Sequence, residues 1–421
     1  MTITRSRGAS ARHVLTLVTG TTLAQVVALA ASPLLTRLYV PGQFGVFALY
    51  MSVVTLLATA ATGRYELAVV LPDSDEEAWH TGTLALSLAL ATSVACGLFV
   101  WTLAEPLARR WGVTGDLLWL RVLPLAVLLA SVSNTLVCWA NRRRRYAQIA
   151  SNRLAQSVTT AAASVALGAA AQGSGLVWGS VIGQAVSAAM FAFGLRGEGP
   201  RGPLQRGLLR EMARRYRNFP RINLPHALLD AAQASALLAL LGLVFGGVAL
   251  GLYALALRIV KTPLGMLGAS VGQVFQQRAA QLHNEGGDLR GLVRRTTLKL
   301  AALVAPIALA MVFAPWLFAW VFGEQWREAG VYALILAPWM ALNFIASPLS
   351  QLPLIVGQQA RALLYGLAYQ AAMLLPFGLA LLLPLSMRQA LGLQSLLASL
   401  ALLFYGAWLM RLADNTKHAH G

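Results

Sequence analysis

Acidic residues are scarce: Asp and Glu together number 15 in 421 residues, and charged residues of both signs make up only 11% of the chain. A soluble globular protein carries roughly a quarter. With 57% hydrophobic residues and a mean hydropathy of +0.64, the chain has more apolar surface than a water-soluble core can hide. Cysteine is nearly absent. Cys96 and Cys138 each lie inside an apolar run, which excludes a disulfide framework or thiolate metal site and leaves two packing thiols. No Gly-rich phosphate loop followed by Lys occurs, no His-Glu-x-x-His, and no outer loop long enough to house an active site. An ATP-driven pump and an enzyme are therefore not expected, and no cofactor is implied.

What is present is a series of apolar runs, each near the length of about 20 residues that a spanning helix needs. They fall near 14–36, 43–63, 80–104, 116–140, 147–171 and 174–195, then near 222–246, 248–275, 298–322, 329–355, 359–384 and 389–410. The expected fold is an all-α polytopic membrane protein of about 12 transmembrane helices. Its expected parts are a lobe over 1–195, a basic cytoplasmic linker over 196–221 and a lobe over 222–421. Arg5, Arg7 and Arg12 ahead of Ala28-Leu29-Ala30 resemble a signal peptide with its cleavage site. Retention is expected instead, because removal would delete the first helix of an internal repeat.

That repeat has an offset of 206 residues, which aligns Phe44-Gly45-Val46-Phe47-Ala48-Leu49 with Leu250-Gly251-Leu252-Tyr253-Ala254-Leu255. Six spans per copy make the two lobes parallel pseudo-repeats, an arrangement that encloses a central cavity. With the N-terminus inside, cytoplasmic segments hold 25 of the 33 Lys and Arg and outer loops hold 5. The positive-inside rule then gives a multi-pass bacterial inner-membrane protein with both termini cytoplasmic. The formal charge of +18 is this bias rather than a nucleic-acid face, and no nucleic-acid partner is expected. The Arg142–Arg145 run and the basic stretch Arg196–Arg221 read as anchors of the same kind.

Charge inside a span is costly and marks a cavity or a partner. Arg258 and Lys261 lie near the middle of the eighth span, followed on the same face by Gly265, Gly268 and Gly272, with Pro263 expected to bend the helix beside them. The seventh span carries Asn223, His226, Asp230 and Gln233 on one face. Two readings of Asp230 stand side by side: a structural ion pair with Lys261 or Arg258, or a carboxylate answering to H⁺ or Na⁺ while the cations take an anionic head group. Arg258 is the first choice for a phosphate oxygen, because a guanidinium binds it bidentately. Gln25 with Thr21 and Thr22 on span one, and Asn343, Ser347 and Ser350 on span ten, line a polar cavity or satisfy neighbouring helices. Gly179/Gly183 and Gly242/Gly246 read as close-packing sites. Asp73, Asp75, Glu76 and Glu77 form a solvated turn with no metal expected.

Three segments carry a family resemblance: Pro33-Leu34-Leu35-Thr36-Arg37-Leu38-Tyr39 with Phe44-Gly45; Arg64-Tyr65-Glu66-Leu67-Ala68-Val69-Val70-Leu71-Pro72; and Gly251 to Ala256 leading to Pro263 and Gly272-Gln273-Val274-Phe275. The sequence resembles the Wzx-type polysaccharide repeat-unit flippases of the multidrug/oligosaccharidyl-lipid/polysaccharide exporter superfamily. The resemblance implies a two-lobed fold, alternating access and an undecaprenyl-pyrophosphate-linked oligosaccharide as substrate. Cationic cavity residues are a feature of such flippases, a pattern that Arg258 and Lys261 fit. Arg64 and Glu66 are candidates for a cytoplasmic gate, or anchors of the short helix entering the third span. Polysaccharide polymerase and chain-length machinery are the candidate protein partners. The alternatives are a cation-coupled multidrug exporter, whose cavity should favour acidic residues, and a membrane-embedded glycan ligase or polymerase, which needs a longer outer loop.

Overall fold

The structure, a computed structural model, describes residues 19–104, 118–171, 173–195 and 204–415. Arg5, Arg7, Arg12, the outer loop over 105–115, the first part of the expected linker and Lys417 lie outside them. All regular structure among the described residues is helical. In chain order the helices are α1 (Thr19–Leu38), α2 (Pro41–Ala61), α3 (Tyr65–Ala68), α4 (Asp75–Phe99), α5 (Leu118–Arg142), α6 (Tyr146–Ala169), α7 (Gly175–Gly194) and α8 (Arg206–Arg215). There follow α9 (Leu224–Asn284), α10 (Leu289–Ala310), α11 (Ala314–Phe322), α12 (Arg327–Leu349), α13 (Leu352–Ile355), α14 (Gln359–Leu379) and α15 (Met387–Asn415).

Ten of the described stretches are long and apolar enough to cross a membrane. Two features separate that number from the expected 12. The 61-residue α9 contains a single residue outside helical dihedrals, Gly246 at φ 82° and ψ 171°, which joins two helices end to end. The break falls where the hydropathy reading divides its seventh and eighth spans. The 24-residue α6 is long enough but too polar, carrying Gln148, Asn152, Arg153 and Gln156. Gly246 is thus a turning point rather than the packing site its spacing suggested, since a Cβ there would meet open space. Pro263 lies within the helix that continues beyond Gly246, and its dihedrals remain helical.

The chain divides into two compact units, one of residues 1–39 and 46–238, the other of 40–45 and 239–421. In the first, Tyr50, Val54, Ala89, Ala126, Val127 and Val181 form a buried cluster among α2, α4, α5 and α7. Gly179 and Gly183 do pack closely: a Cβ on either would overlap the Ser164 or Thr160 hydroxyl of α6. Small residues let two helices meet without crossing polar side chains through lipid. The α4 N-terminus is capped by Ser74 Oγ, which accepts the Glu77 N–H at 3.2 Å, and acidic residues in that first turn complement the helix dipole. Arg142 and Arg143 reach Asp75 at 3.1 and 2.9 Å, Arg215 reaches Glu77 at 3.1 Å, and Arg142 also donates to the Pro72 carbonyl at 2.6 Å. The basic anchors and the acidic turn are therefore partners. Helix α8, inside the expected linker, buries Met212 against Tyr65, Ala68, Ala85 and Tyr216.

In the second unit, Phe275, Ala279, Val293, Leu349, Leu352 and Leu409 form a core among α9, α10, α12, α13 and α15. The first turn of α2 belongs here. A Cβ on Gly45 would overlap the Gly247 carbonyl, and a Cβ on Gly251 would overlap the Pro41 carbonyl, so backbone meets backbone. Phe44 stacks edge-on against the buried Trp326, their centroids 4.9 Å apart.

Candidate functional site

In the second unit, Arg258 and Lys261 are one helical turn apart on α9. Arg258 is half-buried and Lys261 exposed. The Lys261 ammonium stands 5.3 Å from the centroid of the Trp339 ring on α12, within the range where the ring quadrupole attracts a cation. Trp339 is itself fully buried, and its indole N–H donates to Tyr369 Oη on α14 at 2.9 Å. The Tyr369 hydroxyl in turn lies 3.5 Å from Asn343 Oδ1. One connected path thus runs Lys261, Trp339, Tyr369, Asn343 and joins three helices. It leaves the ammonium with all three N–H donors for a ligand, because the ring holds the charge without accepting a conventional hydrogen bond. Ser347, one turn beyond Asn343, is exposed, and its carbonyl accepts the Ser350 hydroxyl at 2.7 Å. The small face beyond the cations packs on α12 at two of its three glycines: Gly268 at Phe344 and Gly272 at Pro348, with open space at Gly265.

Asn343 was legible in the sequence; Trp339 and Tyr369 were missed. Trp339 precedes Asn343 by four residues, so the polar face of span ten extends one turn further back and a tryptophan on it was a readable signal.

The first unit gathers a second group. Arg64 sits in the left-handed region at φ 63° immediately before α3, a conformation that side chains other than Gly adopt at a cost. From there its Nε donates to Asn223 Oδ1 at 3.1 Å and its Nη1 lies 3.5 Å from Glu66 Oε1. Glu66 is nearly enclosed, with 7% of its side chain exposed, and its other oxygen accepts the Thr62 hydroxyl at 2.5 Å. Two sets of sequence candidates, the Arg64/Glu66 pair and the stripe beginning at Asn223, therefore meet in one hydrogen-bonded cluster. Further along that stripe, His226 Nδ1 lies 3.7 Å from Asp230 Oδ2, both largely exposed. Gln233 is half-buried one turn on, and on α1 the Gln25 Oε1 is buried without a hydrogen-bond partner. Among the described residues no group of three His, Cys, Asp or Glu is placed to hold a metal.

These features define a multi-pass helical membrane protein whose longest spans carry paired cations and hydrogen-bonded polar clusters. The family model described as polysaccharide biosynthesis protein matches residues 34–331, and the chain belongs to that family. No curated protein matches it. Among solved structures it is similar to the lipid II flippase MurJ in an inward closed conformation, with a TM-score of 0.69 at 10% identity over 92% of this chain and 87% of that one. It is also similar to a multidrug resistance MATE family transporter of the MOP superfamily, inward-facing, at 0.56 and 15% identity over 96% of both chains. A third is a MOP superfamily transporter from Pyrococcus furiosus described as having a binding pocket of reversed polarity, at 0.57 and 14% identity over 97% of this chain and 95% of that one. At these identities the likeness is one of fold.

Proposed function

We propose that the protein is a flippase that moves an undecaprenyl-pyrophosphate-linked oligosaccharide repeat unit from the cytoplasmic to the outer leaflet of the bacterial inner membrane, for O-antigen, capsule or exopolysaccharide assembly. The observation that carries this reading, within a polysaccharide biosynthesis family, is a pair of cations one turn apart inside a span, Arg258 and Lys261, the second of them held against the face of Trp339. A pyrophosphate crossing hydrocarbon alone would lose its hydration, at several kcal/mol for each polar group. Two fixed cations replace that hydration. Arg258 offers planar bidentate donors to phosphate oxygens and Lys261 a point charge.

In this reading the 12 spans form two six-helix lobes with both termini cytoplasmic, twelve following if α6 spans and α9 counts twice. The lobes alternate access while the polyprenyl tail remains in lipid. Asp230, paired with His226, is the candidate carboxylate for H⁺ or Na⁺ coupling. The Arg64, Glu66 and Asn223 cluster is the candidate cytoplasmic gate. Polymerase and chain-length proteins receive the exported unit.

The test is deletion of the gene in its native host, with lipid-linked repeat units and surface polysaccharide measured together and plasmid copies of wild type and Arg258→Ala supplied. The expected result is loss of surface polymer with lipid-linked units retained on the cytoplasmic leaflet, restored by wild type alone. Unchanged polysaccharide with new sensitivity to cationic dyes would overturn it in favour of a cation-coupled multidrug exporter.

A further inference from the structure

The first unit contains a half-open cavity of about 310 Å³ between α2, α5, α6 and α7, at the lower end of the range of small-molecule sites. Its polar wall is made of amides and hydroxyls: Asn134, Asn152, Gln156 and Gln184, with Ser133 and Ser187. None of the lining residues is acidic and Arg153 is the one cation among them. Interspersed with these are apolar side chains, Met51, Val54, Ala58, Ala130 and Val137, and the hydroxyls of Thr55 and Thr59.

Part of this wall is already bonded. Asn152 Nδ2 donates to the Ser187 carbonyl at 2.8 Å, and the Ser187 hydroxyl donates to Asn152 Oδ1 at 2.6 Å. Arg153 Nη1 donates to Thr21 Oγ1 at 2.7 Å. Two groups are not bonded: Gln184 Oε1, on a residue only 6% exposed, and Ser133 Oγ are buried without a hydrogen-bond partner. A buried polar atom left unpaired costs about 1–3 kcal/mol. The same residues explain why α6 is too polar to pass as an apolar span: Asn152 and Gln156, one turn apart, turn its amides toward the cavity.

We propose that this cavity is a subsite for one neutral sugar ring of the glycan head group. The inference rests on the flippase reading for the source of the ligand, though not for its chemistry. Vicinal hydroxyls both donate and accept, which suits amides and serines that do the same, and the apolar side chains of the lining suit the C–H groups of a pyranose. With Arg153 in the lining and no carboxylate, the site disfavours an organic cation. Its amides and hydroxyls, with a single cation that already donates to Thr21, distinguish the site from the Arg258 and Lys261 pair, which is suited to phosphate.

Binding of methyl glycosides of neutral hexoses and N-acetylhexosamines to the purified full chain, read by saturation-transfer NMR, tests the assignment. Gln184→Met keeps the side-chain length and removes the amide; Asn134→Leu does the same on the exposed rim, where packing is least disturbed. The expected result is saturation transfer from the wild type to the glycoside, and binding weakened about tenfold in either cavity variant, the equivalent of one or two lost hydrogen bonds. Glycoside binding undiminished in a folded Asn134→Leu and Gln184→Met, or no transfer from the wild type to any glycoside, would overturn it and leave a hydrated packing gap. A deletion strain with unaltered surface polysaccharide would instead defeat the flippase reading while leaving glycoside binding to decide the cavity.

Discussion

Arg64 and Asn223 are 159 positions apart in the chain and hydrogen-bonded at 3.1 Å, with the enclosed carboxylate of Glu66 on the other side of the same guanidinium. A carboxylate so placed depends on its cation: removing one partner of a buried pair costs about 3–5 kcal/mol because the other charge remains. Arg64→Ala is therefore expected to lower the melting temperature of the purified protein more than the double variant Arg64→Ala with Glu66→Gln. A thermal double-mutant cycle checks this. Additive losses would show that the pair is uncoupled.

Gly246 illustrates a conformational requirement without a steric one. Its dihedrals fall in a region open almost exclusively to glycine, while the space around a Cβ is empty. Gly246→Ala is expected to destabilise by about 1–3 kcal/mol, whereas Gly265→Ala, on the same long helix with equally open space and helical dihedrals, is expected to be neutral or slightly stabilising. Thermal unfolding of the two variants side by side gives the comparison.

Trp339 has two separable duties, offering its face to Lys261 and its N–H to Tyr369. Trp339→Phe retains a ring face and loses the donor; Trp339→Leu loses both. A cation over an aromatic face contributes about 0.5–2 kcal/mol. Inorganic pyrophosphate binding to the purified protein, followed by calorimetry, is expected to fall in the order wild type, Trp339→Phe, Trp339→Leu, Lys261→Ala, with the last about tenfold or more below wild type. Equal affinity across the series would remove Lys261 from the anion site.

Most of the apolar spans, the positions of Arg258 and Lys261 within one of them, and the division of α9 near Gly246 were legible in the sequence, because hydropathy and special backbone residues act locally; the span over 147–171 is the exception, since α6 is too polar to qualify. The helix ends were not. The hydropathy reading closes one span at 275 and opens the next at 298, whereas α9 runs to Asn284 and α10 begins at Leu289. Backbone hydrogen bonds continue into basic segments that no longer read as apolar. Neither Trp339 beneath Lys261 nor Asn223 beside Arg64 was legible as a partner, since each pairing is set by packing between helices distant in sequence. The cavity in the first unit escaped for another reason: its polar residues are spread over separate spans, and each taken alone resembles an ordinary intramembrane amide.

The glycine crossing tolerates no side chain. A Cβ on Gly45 or Gly251 would meet main-chain atoms that cannot swing aside, and overpacking of that kind costs about 1–3 kcal/mol or more. Gly45→Val and Gly251→Val are each expected to reduce the yield of monodisperse protein in fluorescence-detected size-exclusion chromatography at least as severely as Gly246→Ala.

The same crossing is reciprocal. Gly45 approaches Gly247 and Gly251 approaches Pro41, and with the repeat offset of 206 residues, Pro41 matches Gly247 and Gly45 matches Gly251. The two contacts thus exchange under that offset: Gly45 meets the counterpart of Pro41, and the counterpart of Gly45 meets Pro41. A Cβ on Gly45 would also meet the Gly251 amide nitrogen, and one on Gly251 the Gly45 amide nitrogen. Each glycine therefore sets the clearance of the other, and a side chain added to either helix closes the crossing for both.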